Sequence, residues 1–549
     1  MNTKYIWLLI ILLGFTACND VESVLEDNGY VAPEALPELT AGSADFSKYV
    51  AIGASFTAGY TDGAIFIASQ QNSFPNMMAK EFAKTGGGSF TQPLMSDNYG
   101  GLAAGGTRLP GFNPRLVFGG KGPVPLESLI GPVTVGTDIF LNNPTGPFNN
   151  MGVPGAKSYH LLFDGYGNPA NLATKTANPY FIRMASSTSA TMLGDAMAQN
   201  PTFFTLSEIG GNDVLGYAIA GGDITVDQIT PSSTFDFAFS TLVTTLTSGG
   251  AKGVVTNVPY ITDLPHFTTV PYAPLSPANP AFGPLIPTLN GVFGQLNQVY
   301  AYLQSVGAIT NAAERSIVFS TTAASAVVIK DETFTNISAQ IAGVLNASPT
   351  FPAFVQSLGL PIQAAPLVAT LLGNAYGQTR QATSADLLVL PSSSVIGTVN
   401  TASFDALKGY GLSDELAAQF STEGITYPLA DKWVLLPSEQ AEIKAATDAY
   451  NATIASVAAS KGLALVDLNA ILTEATTNGY KTSDYTLTTD LVVGGLVSLD
   501  GIHLTGRGYA LMANEFLRAI DATYGSNFEA SGNVANAGDY PTNYSPLLP

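Results

Sequence analysis

The stretch FSKYVAIGASFTAGYTDGAIF, Phe46 to Phe66, decides the fold. Tyr49 to Ile52 is an apolar run of strand length, residues 53–55 (Gly-Ala-Ser) form a sharp turn, and the residues after Ser55 open a helix. A serine at such a turn stands at the carboxyl end of a sheet strand, where open α/β folds bind their ligands. The first N–H groups of a helix have no partner within it, so the same position suits a developing anion. Taken alone, Ser55 reads better as a simple helix cap.

The same punctuation recurs along the chain. FNNMGVPGAKSY puts Asn150, Gly152 and Gly155 in a loop before a helix. PTFFTLSEIGGNDVLGYA predicts a strand from Phe203 to Ile209 that ends in Gly210, Gly211, Asn212 and Asp213. AKGVVTNVPYITDLP predicts another, Gly253 to Asn257. In LPSEQAEIKAATDAYNATIASVAASKGLALVDLN, Ser438 reads as the N-cap of a long helix, Gly462 as its end, and Leu463 to Asp467 as the next strand. Strands alternating with helices predict a parallel sheet covered on both faces, with the strand ends lining one edge.

Composition narrows the function. The chain has 549 residues, 46% of them apolar, which is enough for a large buried core. With only 11% charged residues, 55 Gly and 34 Pro, it predicts many turns and long, compact loops. A net charge of −20 argues against nucleic acid as a partner, because phosphate contacts need Lys and Arg. One cysteine and three histidines allow no disulfide and no Cys/His zinc cluster, and no phosphate-binding glycine loop follows a strand. No metal and no cofactor are therefore expected.

At the start, Lys4 precedes an apolar run from Ile6 to Phe15, too short to span a bilayer but suited to a signal peptide. FTAC then resembles the lipobox of bacterial lipoproteins, which implies that Cys18 is lipidated and becomes the mature N-terminus. The other reading is a plain secretory signal with an incidental cysteine. The chain then divides into a leader over 1–17, a flexible tether over 18–44, a body over 45–524 and a tail over 525–549.

VSLDGIHLTGRGY, Val497 to Tyr509, supplies the base that a serine needs. Three residues along a turn let Asp500 reach the Nδ1–H of His503, fixing its tautomer and stabilising the imidazolium. His160 has no acid beside it; Asp263 stands three residues before His266, but no C-terminal helix follows that pair. Asp97 and Asp213 admit a glycosidase reading, although Asp213 fits better as a support for the turn at Asn212.

Ser55 in GASF, Gly155 in NMGVPGA, Asn212 in GGND, and Asp500 with His503 in DGIH resemble, in order, the conserved blocks of the SGNH, or GDSL-type, hydrolase family. The DGIH block stands just before a C-terminal helix, LTGRGYALMANEFLRAI, as it does in that family. The resemblance covers residues 45–260 and 430–522 and extends to GDSL-like lipoproteins of Bacteroidetes-type bacteria. It implies a flavodoxin-like three-layer α/β/α parallel sheet and ester hydrolysis by a Ser55–His503–Asp500 triad. The oxyanion hole would consist of the Ser55 and Gly155 N–H groups and the Asn212 side-chain amide. Two features depart from the family. Ala54 and Phe56 replace the usual neighbours of the serine, and the distance from Ser55 to Gly155 is long, which makes NYGGLAAGG (Asn98 to Gly106) a rival second block.

Two insertions interrupt the body, at 86–147 and 266–430. The second holds helical stretches such as LNGVFGQLNQVYAYLQ, NISAQIAGVLN and PLVATLLGNAYG. It reads either as a cap that binds an acyl chain or as a packed subdomain. The expected protein is a serine ester hydrolase acting on a lipid acyl ester or an acylated glycan. A lipidated N-terminus would hold it to the bacterial outer membrane, facing outward or, as the alternative, toward the periplasm. The alternative is an inactive surface lipoprotein that binds glycan or lipid.

Overall fold

The computed structural model describes residues 35–482 and 484–548; the expected leader and Cys18 lie outside them. Five strands form one parallel sheet: β1 (Tyr49–Gly53), β2 (Asn150–Gly152), β3 (Phe203–Ser207), β4 (Lys252–Thr256) and β5 (Ala464–Val466). Their spatial order is 2-1-3-4-5. The order reverses between β1 and β3, and open α/β sheets of this topology leave a crevice at that switch point.

Alternation along the strands builds the layers, because successive side chains point to opposite faces. Val50, Ile52, Phe204, Leu206 and Val255 belong to one core. Tyr49, Ala51, Phe203, Val254 and Val466 belong to another. The first core is closed by α4 (Ser232–Leu246) through Phe235 and Phe239, and by α5 (Pro437–Lys461) through Tyr450 and Ile454. The second is closed by α2 (Phe74–Ala83) through Met78 and Phe82, and by α6 (Gly506–Tyr524) through Phe516 and Ile520. Two short elements complete the site-bearing frame, α1 (Ser55–Ala58) after β1 and α3 (Gly211–Ile219) after β3. The chain is thus a mixed α/β protein with a parallel sheet between two helical layers.

Two local expectations need correction. Asn150 and Gly152 lie in β2, the edge strand of the sheet, and not in a loop, with Gly53 opposite Gly152. Asn and Gly have poor strand propensity, so only pairing with β1 makes this segment a strand. Helix α5 is capped at Leu436 rather than at Ser438. Pro437 occupies the first helical position, and the Glu439 carboxylate accepts the Leu436 N–H at 2.6 Å.

Residues 270–436 have a core of their own, built on helices Ile286–Ser305, Ser338–Ala347 and Ala365–Tyr376. The 86–147 excursion is mostly irregular, with two small hairpins. Both ends of the body fold back onto it. Thr40 N–H donates to Asn527 at 2.8 Å, Phe528 enters the core under α6, and the Ser545 carbonyl accepts from buried Arg115 at 2.6 Å. Among the described residues no helix is long and apolar enough to cross a membrane.

Candidate active site

Ser55 opens a single helical turn directly after β1, and Gly59 ends that turn in the left-handed region (φ 79°). What holds the turn is Glu208, which lies just beyond β3 and not within a strand running to Ile209. Glu208 has φ 55°, and its carboxylate accepts the N–H groups of Ala54 (2.7 Å), Thr57 (3.0 Å) and Phe56 (2.8 Å). Its own N–H donates to Thr256 Oγ1 at 2.9 Å, so one residue, through side chain and backbone, ties together the ends of β1, β3 and β4. Burial pushes the Glu208 carboxyl up to about 8 against the pull of those backbone donors. The three bonds occupy the N–H groups around the serine but not its own. The Ser55 N–H has no acceptor among the described residues.

The second block lies alongside. Val153 N–H donates to the Gly53 carbonyl at 3.1 Å, continuing the β1–β2 ladder into the next turn. Asn150 Nδ2 donates to the Thr57 carbonyl at 2.8 Å, fastening β2 to α1. Gly155 then takes φ 78°, a conformation that favours glycine, and its N–H is also without an acceptor among the described residues. Asn212, in the first turn of α3, donates from Nδ2 to the Ala156 carbonyl at 3.0 Å, which brings its amide beside Gly155. Asp213 is fully buried and accepts from Ser158 N–H (2.9 Å) and Oγ (2.7 Å), so it does support the Asn212 turn, by locking the following loop to α3. The rival stretch Asn98 to Gly106 belongs to the 86–147 excursion, and no strand of the central sheet leads into it.

Asp500 and His503 are joined as their spacing predicts. Asp500 Oδ2 lies 2.8 Å from His503 Nδ1. Its Oδ1 accepts the N–H groups of Ile502 and His503, each at 2.9 Å, and the Ser498 hydroxyl at 3.1 Å. Burial alone would raise this carboxyl, but the imidazole and the N–H donors of the turn hold it well below the ordinary carboxylate range. The loop after α1 closes on the same turn. Gly63 N–H donates to Asp500 Oδ2 at 2.9 Å, Asp62 N–H to Ser498 Oγ at 3.0 Å, and Leu499 N–H to Asp62 Oδ1 at 3.1 Å. Asp62 is itself buried with φ 53°; burial, with a contribution from neighbouring Asp500, pushes its carboxyl up to about 7.

The imidazole of His503 packs against the rings of Tyr60 (centroids 4.4 Å apart) and Phe56 (5.9 Å), and Tyr60 N–H donates to the Ser55 carbonyl at 2.9 Å. The histidine is thus seated on the segment that carries the serine. No hydrogen bond joins Ser55 Oγ to His503 in this arrangement.

The other histidines differ from one another. His160 stacks on Tyr166, its Nδ1 accepts the Lys157 N–H at 3.0 Å, and burial brings it down to about 4. His266 is not remote from the site. Its N–H donates to the Gly501 carbonyl at 2.9 Å, so it braces the Asp500–His503 segment from the insertion side. Asp97 accepts from Tyr99 N–H (2.8 Å) and Gly136 N–H (2.6 Å), the work of a loop clamp. Glu208, Asp62 and Ser498 carry no periodic or motif signal, apart from a charged residue ending an apolar strand in TLSEIGG; His266 carries the Asp-x-x-His spacing with Asp263 but serves as a brace.

Comparison of the chain with family models, with curated proteins and with solved structures yields no match.

Proposed function

We propose that this chain is a serine ester hydrolase of the SGNH type, with Ser55 as nucleophile, His503 as base and Asp500 as the orienting acid. One observation carries the reading. Two backbone N–H groups, at Ser55 and Gly155, lack acceptors beside a side-chain amide, while a half-buried Asp–His pair rests on the serine's own segment. Ser55 is buried and Gly155 is exposed, so one free N–H lies inside the site and the other at its opening, the arrangement in which an oxyanion could accept from both.

In the reaction, Ser55 Oγ attacks the ester carbonyl while His503 Nε2 takes its proton. Asp500, ionised, stabilises the imidazolium through Nδ1–H. The carbonyl oxygen becomes an oxyanion that accepts from the Ser55 and Gly155 N–H groups and Asn212 Nδ2; losing one such donor typically costs about 3–4 kcal/mol of barrier. Collapse returns the proton to the alkoxide, which leaves as an alcohol. Water then repeats the sequence on the acyl-enzyme and releases the acid, with the proton going back to Ser55. Substrates in this reading are lipid acyl esters or acylated glycans. The leader and Cys18 support an outer-membrane lipoprotein, with the ester bond met at the cell surface.

Hydrolysis of p-nitrophenyl esters from acetate to palmitate tests the reading. Wild type should turn over at least one of them, and Ser55→Ala should lose about four or more orders of magnitude in kcat while keeping its fold. A fluorophosphonate should label Ser55 alone. Wild-type rates no higher than those of Ser55→Ala, with no labelling, would leave a binding protein in place of an enzyme.

A further inference from the structure

The insertion holds a cavity of about 450 Å³, lined only by residues between 292 and 427. Its wall is apolar, with Leu358, Leu371, Leu407 and Phe420 among the contributors, and it contains no Lys, Arg, Asp or Glu. The polar groups in the wall are turned to internal work. The Ser403 hydroxyl accepts from Ser421, and Thr426 Oγ1 donates to the Gln419 carbonyl at 2.5 Å. Asn374 and Tyr410, both exposed, supply polar groups at the mouth.

The helix that covers this space is poorly packed for a structural element. Thr401–Gly409 has no buried residue, although Ala402, Ala406 and Leu407 face the cavity. Apolar side chains beside empty space forgo the dispersion contacts that a filled core provides. The one cation on that helix, Lys408, is engaged with Asp414 in an ion pair. A cavity of this size falls within the range of small-molecule sites.

We propose that this cavity is a binding site for a neutral single-chain amphiphile, with the alkyl chain inside and an uncharged polar head at Asn374 and Tyr410. Charge complementarity selects the head: a wall without a cation gives a carboxylate or phosphate no partner, and desolvating one there is unfavourable. Volume selects the tail. A cavity of about 150 Å³ takes one benzene, so by proportion this one holds a chain of roughly 12–18 carbons. The proposal does not depend on the hydrolase reading, since no lining residue comes from the sheet or its loops.

The test uses the full chain and 1-O-dodecylglycerol, whose ether bond no esterase cleaves, in competition with the neutral fluorophore N-phenyl-1-naphthylamine. Wild type should bind the ether at micromolar concentration, and dodecanoate at pH 8 at least about tenfold more weakly. Ala375→Phe, which fills the cavity from the Ala365–Tyr376 helix, should abolish binding with an unchanged circular dichroism spectrum. Leu371→Ala, which enlarges it, should shift preference toward longer chains. Failure of wild type to bind the ether, dodecanoate binding as tightly, or the same affinity and chain preference in both variants would each overturn the proposal.

Discussion

At the scale of single residues, the proposed nucleophile Ser55 depends on Glu208, which never meets a substrate in this reading. A serine on a sharp turn needs its backbone held, and here one buried carboxylate accepts three N–H groups around it. Glu208→Gln keeps the shape but turns an NH2 group toward backbone donors, leaving at least one of them unsatisfied. An unsatisfied buried donor costs about 1–3 kcal/mol. The variant should unfold at a lower temperature and label with fluorophosphonate more slowly by roughly one to two orders of magnitude, in line with that range. If labelling keeps its wild-type rate while the melting temperature falls, Glu208 serves only stability. His266 belongs to the same class of residue, since it braces the Asp500–His503 turn from outside.

At the scale of elements, the close approach of α1 to β2 makes the site possible. A Cβ on Gly152 would stand 2.2 Å from the Ala58 nitrogen and 2.6 Å from the Thr57 carbonyl carbon, both backbone atoms that cannot swing aside. Gly152→Ala should therefore push α1 off the sheet edge and abolish ester turnover, with an overpacking cost of about 1–3 kcal/mol. Gly155 offers a contrast. There the nearest atom to an added Cβ is Asn178 Nδ2 at 4.0 Å, and only the backbone angle resists substitution. Gly155→Ala should cost about 1–2 kcal/mol and keep measurable turnover. Equal activity losses in the two variants would show that strain, and not the α1–β2 approach, governs the site.

At the scale of the whole molecule, the insertion meets the sheet-bearing body at an acidic junction. Ligand atoms of Glu332, Asp431 and Glu439 lie within 4.8 Å of one another. Burial first, and Glu332 beside them, push Asp431 up to about 7 and Glu439 up to about 8. A carboxyl raised on folding binds a proton that the unfolded chain releases, so its contribution to stability is full below the unfolded pKa. That contribution is lost as pH rises through the folded value. The melting temperature should thus fall between pH 5 and 8. Glu439→Gln should flatten the fall, because the amide oxygen can still accept the Leu436 N–H while the charge is gone. His160 acts oppositely: brought down to about 4, it favours the folded state above pH 6.5 and withdraws that support as pH falls. If Glu439→Gln melts with the wild-type slope from pH 5 to 8, the junction does not control alkaline stability.

What the sequence determined by itself is what local physics encodes. Apolar runs of strand length at Tyr49, Phe203 and Gly253 gave strands, because burial on both faces demands continuous hydrophobicity. The three-residue spacing of Asp500 and His503 brought imidazole to carboxylate, because a turn of that length closes on itself. Gly462 ended a helix where its left-handed angle (φ 62°) was needed. Only tertiary structure decided the rest. Asn150 and Gly152 became a strand because β1 lay open beside them, and Glu208 became the anchor of a turn more than 150 residues earlier. His266, distant in sequence from His503, came to brace its turn. Such pairings join groups whose separation along the chain leaves no periodic trace, and only the packed sheet brings them within reach of one another.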